Sequence, residues 1–313
     1  MKRINQTNEE IQELNRFNNS FYQQPQLFWN DKVFVITKPK IAHSLCRDIF
    51  VGREDGWKLP GTGFIMNPVT FEMNPKHITE IPEENKKWQE KYNKEGIEIW
   101  NNFLNKKEKR DLIILYRNPY EHFLSGFTQD TLIFNNLPCG KMLQPLLTIW
   151  VNTIDIDESQ GYKNKFVNRF IENREGYGGF VGLLKEFPTI TTKLIEMLFR
   201  NHINNGFYTA GHYSSWLSTI YPLYDGGIVD KNKVKFIDIY EDSLFKVLDP
   251  YVEKWPEYLE EQRESKRYKN RNTIYEILDN LIANDDSWQK IIKHSIEADM
   301  IVFNKIKNLV NDK

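Results

Sequence analysis

The fold of this chain is constrained most by residues 32–50, KVFVITKPKIAHSLCRDIF, which combine a strand pattern, a turn and a helix pattern. Residues 33–36 form a short apolar run bounded by charge and by Pro39, as is typical of a buried strand. Beyond Pro39 the apolar residues recur at helical spacing, at Leu45, Ile49 and Phe50. Such a turn directs backbone N–H groups and a helix N-terminus toward one point, so the segment predicts an anion site.

Two side chains in this segment, Lys40 and Ser44, add a positive charge and a hydroxyl to the predicted anion site. The usual phosphate-loop pattern, GxxxxGK[ST], is absent here. Gly140-Lys141 also fails the pattern, because Met142 follows it. An ordinary β-to-α turn with a solvated lysine is therefore the alternative interpretation of the segment.

A second stretch, KRDLIILYRNPYEHFLSGF at 109–127, repeats the layout. Residues 112–116 predict another buried strand, and Arg117 stands at its C-terminal end. Asn118 is a suitable N-cap and Pro119 a suitable first helical residue, so a helix is expected to follow at once.

Predicted strands near 33–37, 112–116 and 234–240 indicate an α/β domain with a central parallel sheet. Ligands of open α/β sheets collect outside the carboxyl ends of the strands, so Lys40 and Arg117 are expected at one edge. Ser125 is expected two turns into the helix after Arg117. Other helices are predicted at 83–108, 183–199, 242–259 and 273–310.

The two motifs resemble the donor-binding motifs of sulfotransferases, most closely those of the carbohydrate branch. Pro39-Lys40-Ile41-Ala42-His43-Ser44, with Arg47, is similar to the loop that binds the 5′-phosphosulfate. Arg117-Asn118-Pro119, with Ser125-Gly126-Phe127, is similar to the motif that holds the 3′-phosphate. Weaker similarities lie at Gly211-His212-Tyr213, at VKFIDIYEDSL (234–244) and at SIEADMIVFNKI (295–306), whereas His43 stands where the family has a small residue or Cys.

The resemblance implies a three-layer αβα fold, similar to the P-loop hydrolase-like fold of sulfotransferases, in a single domain over 31–313. The implied reaction moves a sulfuryl group from 3′-phosphoadenosine-5′-phosphosulfate to a hydroxyl or amine, with a carbohydrate as the expected acceptor. It leaves adenosine 3′,5′-bisphosphate and needs no metal. The residues implied to bind the sulfuryl donor are Lys40, Ala42, His43, Ser44, Arg47, Arg117, Ser125 and Arg267, the last within the basic loop 261–271.

A general base must take the proton of the acceptor, and His or Glu is the usual residue type. His77 is the preferred candidate because it lies between the two motifs, where the family carries its base. Glu72 is the second candidate, and His212 is a third. Lys40 is expected to act in catalysis as well as in binding.

Composition limits the other functions. A net charge of −1 argues against bulk electrostatic binding to nucleic acid or to an anionic membrane. Two cysteines give neither a disulfide framework nor metal-ligand spacing. Residues 1–30 predict a polar extension without a signal-peptide core, and no apolar run reaches about 18 residues. Animal carbohydrate sulfotransferases are usually anchored in the Golgi membrane, so the resemblance without a predicted anchor implies a cytoplasmic protein of bacterial or viral origin. The sequence does not indicate an oligomeric state.

Two other function classes stay open at this point. A P-loop nucleotide kinase or phosphotransferase would carry a Gly-Lys-Ser/Thr loop and an Asp for Mg²⁺, and the first is missing. A non-catalytic nucleotide- or glycan-binding module would keep the fold without the base. The basic and aromatic residues at 160–179 predict either an acceptor channel or an amphipathic surface helix.

Overall fold

The computed structural model describes residues 25–38, 41–50, 64–66, 73–75, 83–128, 151–172, 177–204, 216–240, 244–252, 255 and 273–311. These residues form two compact units. The first takes its residues from 1–119, 215–269 and 298–313, and the second from 120–214 and 270–297. The single domain expected over 31–313 stays a prediction.

The first unit is built on a sheet whose described strands are β1 Gln26–Trp29, β2 Val33–Thr37, β3 Phe64–Met66, β4 Met73–Pro75, β5 Asp111–Tyr116 and β6 Val234–Asp238. Their order across the sheet is β4-β3-β1-β2-β5-β6. β2, β5 and β6 are parallel neighbours, as predicted, and the α/β class is confirmed. β1, β3 and β4 pair antiparallel, so the sheet is mixed and not wholly parallel.

Strand β1 lies inside the segment 1–30, where we expected a polar extension. It pairs with β2 on one side and with β3 on the other, and its residues are all buried. Asn30 closes the hairpin, because its Oδ1 accepts the N–H groups of Lys32 and Val33 at 2.9 and 3.1 Å. The sheet therefore begins before residue 31, while residues 1–24 lie outside the described part of the chain.

The described helices are α1 His43–Phe50, α2 Glu83–Leu104, α3 Pro119–Phe127, α4 Gln160–Glu172, α5 Tyr177–Glu186, α6 Pro188–Asn204, α7 Leu217–Ile220, α8 Pro222–Asp225, α9 Leu244–Leu248, α10 Thr273–Ala283 and α11 Asp286–Asn311, with short 3₁₀ helices at Lys231–Lys233 and Asp249–Tyr251. Three predicted helices are interrupted. Pro188 and Pro250 break two of them, because proline lacks the N–H that continues a helix. The third predicted helix, 273–310, is divided into α10 and α11 at Asp285. This residue caps the start of α11, since its Oδ1 accepts the N–H groups of Ser287 and Trp288.

The core of the first unit packs aromatic rings against the parallel strands. Phe34 of β2 contacts Trp100 and Phe103 of α2, with ring centroids 5.4 and 4.9 Å apart. Tyr116 of β5 contacts Phe303 of α11 at 5.8 Å. All five residues of β2 are buried, which explains why this strand is a continuous apolar run and not an alternating one.

The second unit is helical in its described part, and Phe166 of α4 packs against Phe187 with centroids 5.6 Å apart. The segment 160–179 therefore contains an amphipathic helix, one of its two interpretations. Phe166 is buried, while Lys165 and Arg169 lie 3.6 and 3.2 Å from Glu186. None of the described helices combines the length and apolar character that crossing a bilayer requires.

Candidate functional site

The parallel strands end at a common edge of the sheet. Ile36 of β2 pairs with Ile114 of β5, and Tyr116 of β5 pairs with Asp238 of β6. The three strands run in the same direction, so the residues that follow Thr37, Tyr116 and Asp238 meet at this carboxyl edge. The prediction that β2 and β5 end at the same edge is confirmed.

After β2, the described residues Ile41 and Ala42 form a turn that leads directly into α1. The N–H of Ile41 donates to the carbonyl of Lys38 at 2.9 Å, and the Thr37 hydroxyl hydrogen-bonds the carbonyl of Ile41. Ala42 has φ 55°, in the left-handed region that residues with a Cβ rarely adopt. The turn residue Ala42 is followed directly by the helix, which begins at His43, as the strand–turn–helix prediction requires.

Helix α1 is anchored by buried residues on its inner side. Ile41 and Cys46 are fully buried, and Leu45 is nearly so. Burial raises the pKa of the Cys46 thiol, so this cysteine is an inert packing residue and not a nucleophile. The anchoring fixes the direction of the first turn of α1.

Most of the side chains predicted to bind the sulfuryl donor at this turn lie outside the described residues. Lys40 itself is outside them, and α1 includes His43, Ser44 and Arg47 without a description of their side chains. Ala42 is described and half-buried. The turn at Ile41 and Ala42 and the start of α1 at His43 are therefore confirmed, and the roles of these side chains stay predictions.

Lys38 is a residue that the sequence reasoning missed. Its side chain is 0% exposed at the end of β2, although lysine is almost never fully buried unless it is paired. It interacts with neighbouring groups in the structure. A lysine next to a turn suggests a solvated side chain, and only the packing around the strand end reveals the burial.

Arg117 follows β5 directly and is 4% exposed. Its guanidinium carbon lies 4.6 Å from the centroid of the Tyr240 ring, at a distance suited to a cation–π contact. Nε and Nη2 of the guanidinium are buried. A guanidinium held in this way presents a planar fork of donors, which suits bidentate binding of a phosphate.

Tyr240, which stacks on Arg117, is fixed by the end of β6. Its N–H donates to Oδ1 of Asp238 at 3.0 Å, and the N–H of Ile239 donates to the carbonyl of Tyr116 at 3.0 Å. Asp238 is 4% exposed, and its Oδ2 lies 3.5 Å from Nζ of Lys307 on α11. Sequence reasoning used this segment for a predicted strand and for a resemblance, and assigned no role to Tyr240, Asp238 or Lys307.

Ser125 and His122 lie on α3 and are both buried. Ser125 belongs to the second unit and Arg117 to the first, so the paired contact with a 3′-phosphate stays a prediction. The catalytic candidates Glu72 and His77 lie outside the described residues, as do His212 and Arg267.

Asp299, in the segment 295–306 that resembles the family, has a structural role. Its carboxylate accepts the N–H groups of Trp216 at 2.8 Å and Ser218 at 2.7 Å, which satisfies the free donors at the start of α7. It is 3% exposed. The acid therefore ties α11 to α7 through helix capping.

A polar cluster lies at the opposite, amino-terminal edge of the parallel strands. Tyr251 donates its hydroxyl to Oδ2 of Asp111 at 2.7 Å, and Nζ of Lys235 lies 2.9 Å from the same oxygen. Burial alone would raise the pKa of the Asp111 carboxyl, but the hydrogen bonds from Tyr251 and Lys235 outweigh it and lower the pKa. This cluster links β5 and β6 and lies away from the carboxyl edge.

The described part of the candidate site thus consists of a turn with a left-handed residue, a helix start and a buried arginine on the neighbouring strand. This combination is suited to binding an anion with more than one charged group. No family model, no curated protein and no solved structure matches the chain.

Proposed function

We propose that this protein is a sulfotransferase that moves a sulfuryl group from 3′-phosphoadenosine-5′-phosphosulfate to a hydroxyl or amine of a carbohydrate acceptor. One observation carries the proposal. Two adjacent parallel strands end at one edge, where β2 leads into a tight turn and a helix start and β5 leads into the buried Arg117. Two separate anion-binding positions suit a nucleotide that carries a 5′-phosphosulfate and, at another position, a 3′-phosphate.

At the level of the fold, the proposal is a three-layer P-loop hydrolase-like domain of the sulfotransferase type. The parallel neighbours β2, β5 and β6 support it, because such folds bind ligands beyond the carboxyl ends of parallel strands. The antiparallel strands β1, β3 and β4 extend this parallel part on one side.

The 5′ side of the sulfuryl donor is assigned to the β2–α1 turn. Lys40, Ser44 and the amides of the turn bind the 5′-phosphosulfate, with His43 and Arg47 on the same helix start. A left-handed residue before the helix is the conformation that turns successive N–H groups toward one anion.

The 3′ side of the sulfuryl donor is assigned to Arg117, with Ser125 and Arg267 as further donors of hydrogen bonds. Support comes from the burial of Arg117 and its stacking on Tyr240, which hold the guanidinium fork in one orientation. A pre-organised fork loses little entropy when a phosphate binds.

In the proposed reaction, the acceptor oxygen or nitrogen attacks sulfur while the bond from sulfur to the bridging oxygen breaks. The electron pair of that bond stays on the bridging oxygen, which leaves on adenosine 3′,5′-bisphosphate. Lys40 stabilises the negative charge that grows there, and this effect is larger in the transition state than in the ground state. His77, or Glu72 in its place, accepts the acceptor proton.

Thermal unfolding with two nucleotides tests the proposal. Adenosine 3′,5′-bisphosphate at about 100 times its dissociation constant should add about 2.7 kcal/mol of stability and raise Tm. ATP with Mg²⁺ at the same concentration should raise Tm much less, because it lacks the 3′-phosphate. Equal shifts with the two nucleotides would remove the case for a sulfotransferase.

A further inference from the structure

Asp238 is a buried carboxylate at the end of β6, and its contacts include two described groups. Its Oδ1 accepts the N–H of Tyr240, and its Oδ2 faces Nζ of Lys307 at 3.5 Å. A buried carboxylate without such partners is costly, so these contacts fix where Asp238 points. Lys307 is thereby connected to the carboxyl edge of the sheet, although it lies near the end of α11.

The backbone at Tyr240 is fixed by hydrogen bonds at the end of β6. The bond from its N–H to Asp238 is a local turn contact of the kind that sets the backbone two residues later. The neighbouring Ile239 N–H continues the strand ladder to Tyr116. The backbone from which the Tyr240 ring projects therefore has a defined place, and the guanidinium carbon of Arg117 lies over that ring, 4.6 Å from its centroid.

We propose that Lys307 is a positioning residue for Arg117 and tunes how tightly the 3′-phosphate is held. Lys307 orients Asp238, Asp238 orients Tyr240, and the Tyr240 ring fixes the plane of the guanidinium fork. This inference rests on the proposed function, because it assigns the fork of Arg117 to the 3′-phosphate of the nucleotide.

The same helix offers a matched lysine that makes a different contact. Lys305 lies two residues earlier, and its Nζ lies 5.8 Å from the Tyr221 ring centroid. Lys307 also packs its Nζ 5.4 Å from the ring centroid of Phe303, so its removal affects packing as well as charge. Replacing either lysine by Met removes one charge from α11 and keeps the aliphatic length.

The test is calorimetric binding of adenosine 3′,5′-bisphosphate and adenosine 5′-monophosphate to each variant. The ratio of the two affinities reports the 3′-phosphate contact alone, and a general loss of stability leaves it unchanged. Lys307→Met should lower the ratio roughly 3- to 30-fold, the scale of coupling through a chain of contacts. Lys307→Arg should restore the ratio, and Lys305→Met should leave it at the wild-type value.

Asp238→Asn provides a second variant if Lys307→Met does not fold. Its amide oxygen can still accept the Tyr240 N–H, but the charge that attracts Lys307 is lost, so the ratio should fall as in Lys307→Met. A wild-type ratio near one would contradict the proposed function and this inference with it. A wild-type protein that prefers the bisphosphate, with both variants at the wild-type ratio, would overturn the positioning role alone.

Discussion

The two strand ends that meet at the carboxyl edge are built in different ways. After β2, residues 38–42 separate the strand from α1, which begins at His43, and Ala42 among them is left-handed. After β5, only residues 117–118 separate the strand from α3, which begins at Pro119. The first connection has enough chain to form a loop of backbone amides, whereas the second has room for little more than one buried side chain.

This difference suggests a division of work between the two connections. A loop of N–H groups beside a lysine can follow charge that shifts during transfer, because its donors surround the anion. A single guanidinium held on the Tyr240 ring is better suited to a charge that does not change. The β2–α1 turn is therefore expected to govern the rate, and Arg117 is expected to govern affinity.

The largest effect is expected from His77, the candidate general base, which belongs to neither of the two connections. His77→Ala should reduce turnover roughly 10²- to 10⁴-fold, the range for a general base, with little change in nucleotide affinity. Single-turnover sulfation of a carbohydrate acceptor measures this effect. Glu72→Gln serves as the comparison and should be milder. Near-normal turnover in His77→Ala, with a loss in Glu72→Gln, would move the role to Glu72.

Lys40→Ala tests the role in catalysis that is expected of the β2–α1 turn. Removing one group that stabilises developing charge costs roughly 10²- to 10³-fold in turnover, so the single-turnover rate should fall by that amount. The affinity for adenosine 3′,5′-bisphosphate should stay measurable. Lys32→Ala is the control, because Lys32 is an exposed lysine just before the other end of β2. An unchanged rate in Lys40→Ala would remove this lysine from the chemical step.

Arg117→Ala tests the role in nucleotide affinity that is expected of the residue after β5. Breaking a buried charge contact costs roughly 2–5 kcal/mol, so calorimetry should show that much loss of bisphosphate binding energy. Arg110→Ala is a matched control at the opposite end of the same strand. Arg110 donates its Nε–H to the carbonyl of Asn30 at 2.7 Å, so its loss should lower stability and leave nucleotide affinity unchanged.

The smallest effect concerns the backbone of the turn. A left-handed conformation costs roughly 1–2 kcal/mol for a residue with a Cβ, and a β-branched residue suits it least. Ala42→Val should therefore lower the free energy of unfolding by about 1 kcal/mol or more in denaturant titration, while Ala42→Gly should be tolerated. Equal stability of the Val and Gly variants would mean that the turn does not need this conformation.

The sequence was sufficient to predict the parallel part of the sheet. The predicted strand 33–37 agrees with β2, and 112–116 misses only Asp111, which the strand gains through pairing with Val33. The predicted strand 234–240 is too long by two residues, because β6 ends at Asp238, whose carboxylate accepts the N–H of Tyr240 in a turn. Continuous apolar runs were reliable signals because these strands are largely buried.

The antiparallel strands could not be predicted in the same way. β1 is a run of four residues within a stretch rich in Asn and Gln, and β3 and β4 have three residues each. Segments this short owe their conformation to pairing with neighbours more than to their own propensity. The interruption at Asp285 was missed for a related reason, because a polar residue within a helical pattern reveals its capping role only when its partners are known.

Some residues of the candidate site could be predicted from the sequence and others could not, for the same physical reason. Arg117 was predicted because it directly follows a strong strand pattern, and its burial agrees with a role at the edge. Lys38 and Tyr240 escaped prediction, since full burial of a lysine and stacking of a ring depend on residues distant in the chain. The binding and catalytic roles of the candidate site residues stay predictions, among them those of Lys40, Ser44, Glu72, His77, Arg117, Ser125 and Arg267.

The most direct test of this division is a calorimetric comparison of adenosine 3′,5′-bisphosphate with adenosine 5′-phosphosulfate, which lacks the 3′-phosphate. The affinities are measured for the wild-type protein, Lys40→Ala and Arg117→Ala. The account predicts that Arg117→Ala loses most of its preference for the bisphosphate and binds the phosphosulfate almost normally, while Lys40→Ala keeps that preference. An Arg117→Ala protein that loses both nucleotides equally would contradict the account, because Arg117 would then be a structural residue and the 3′-phosphate site would lie elsewhere.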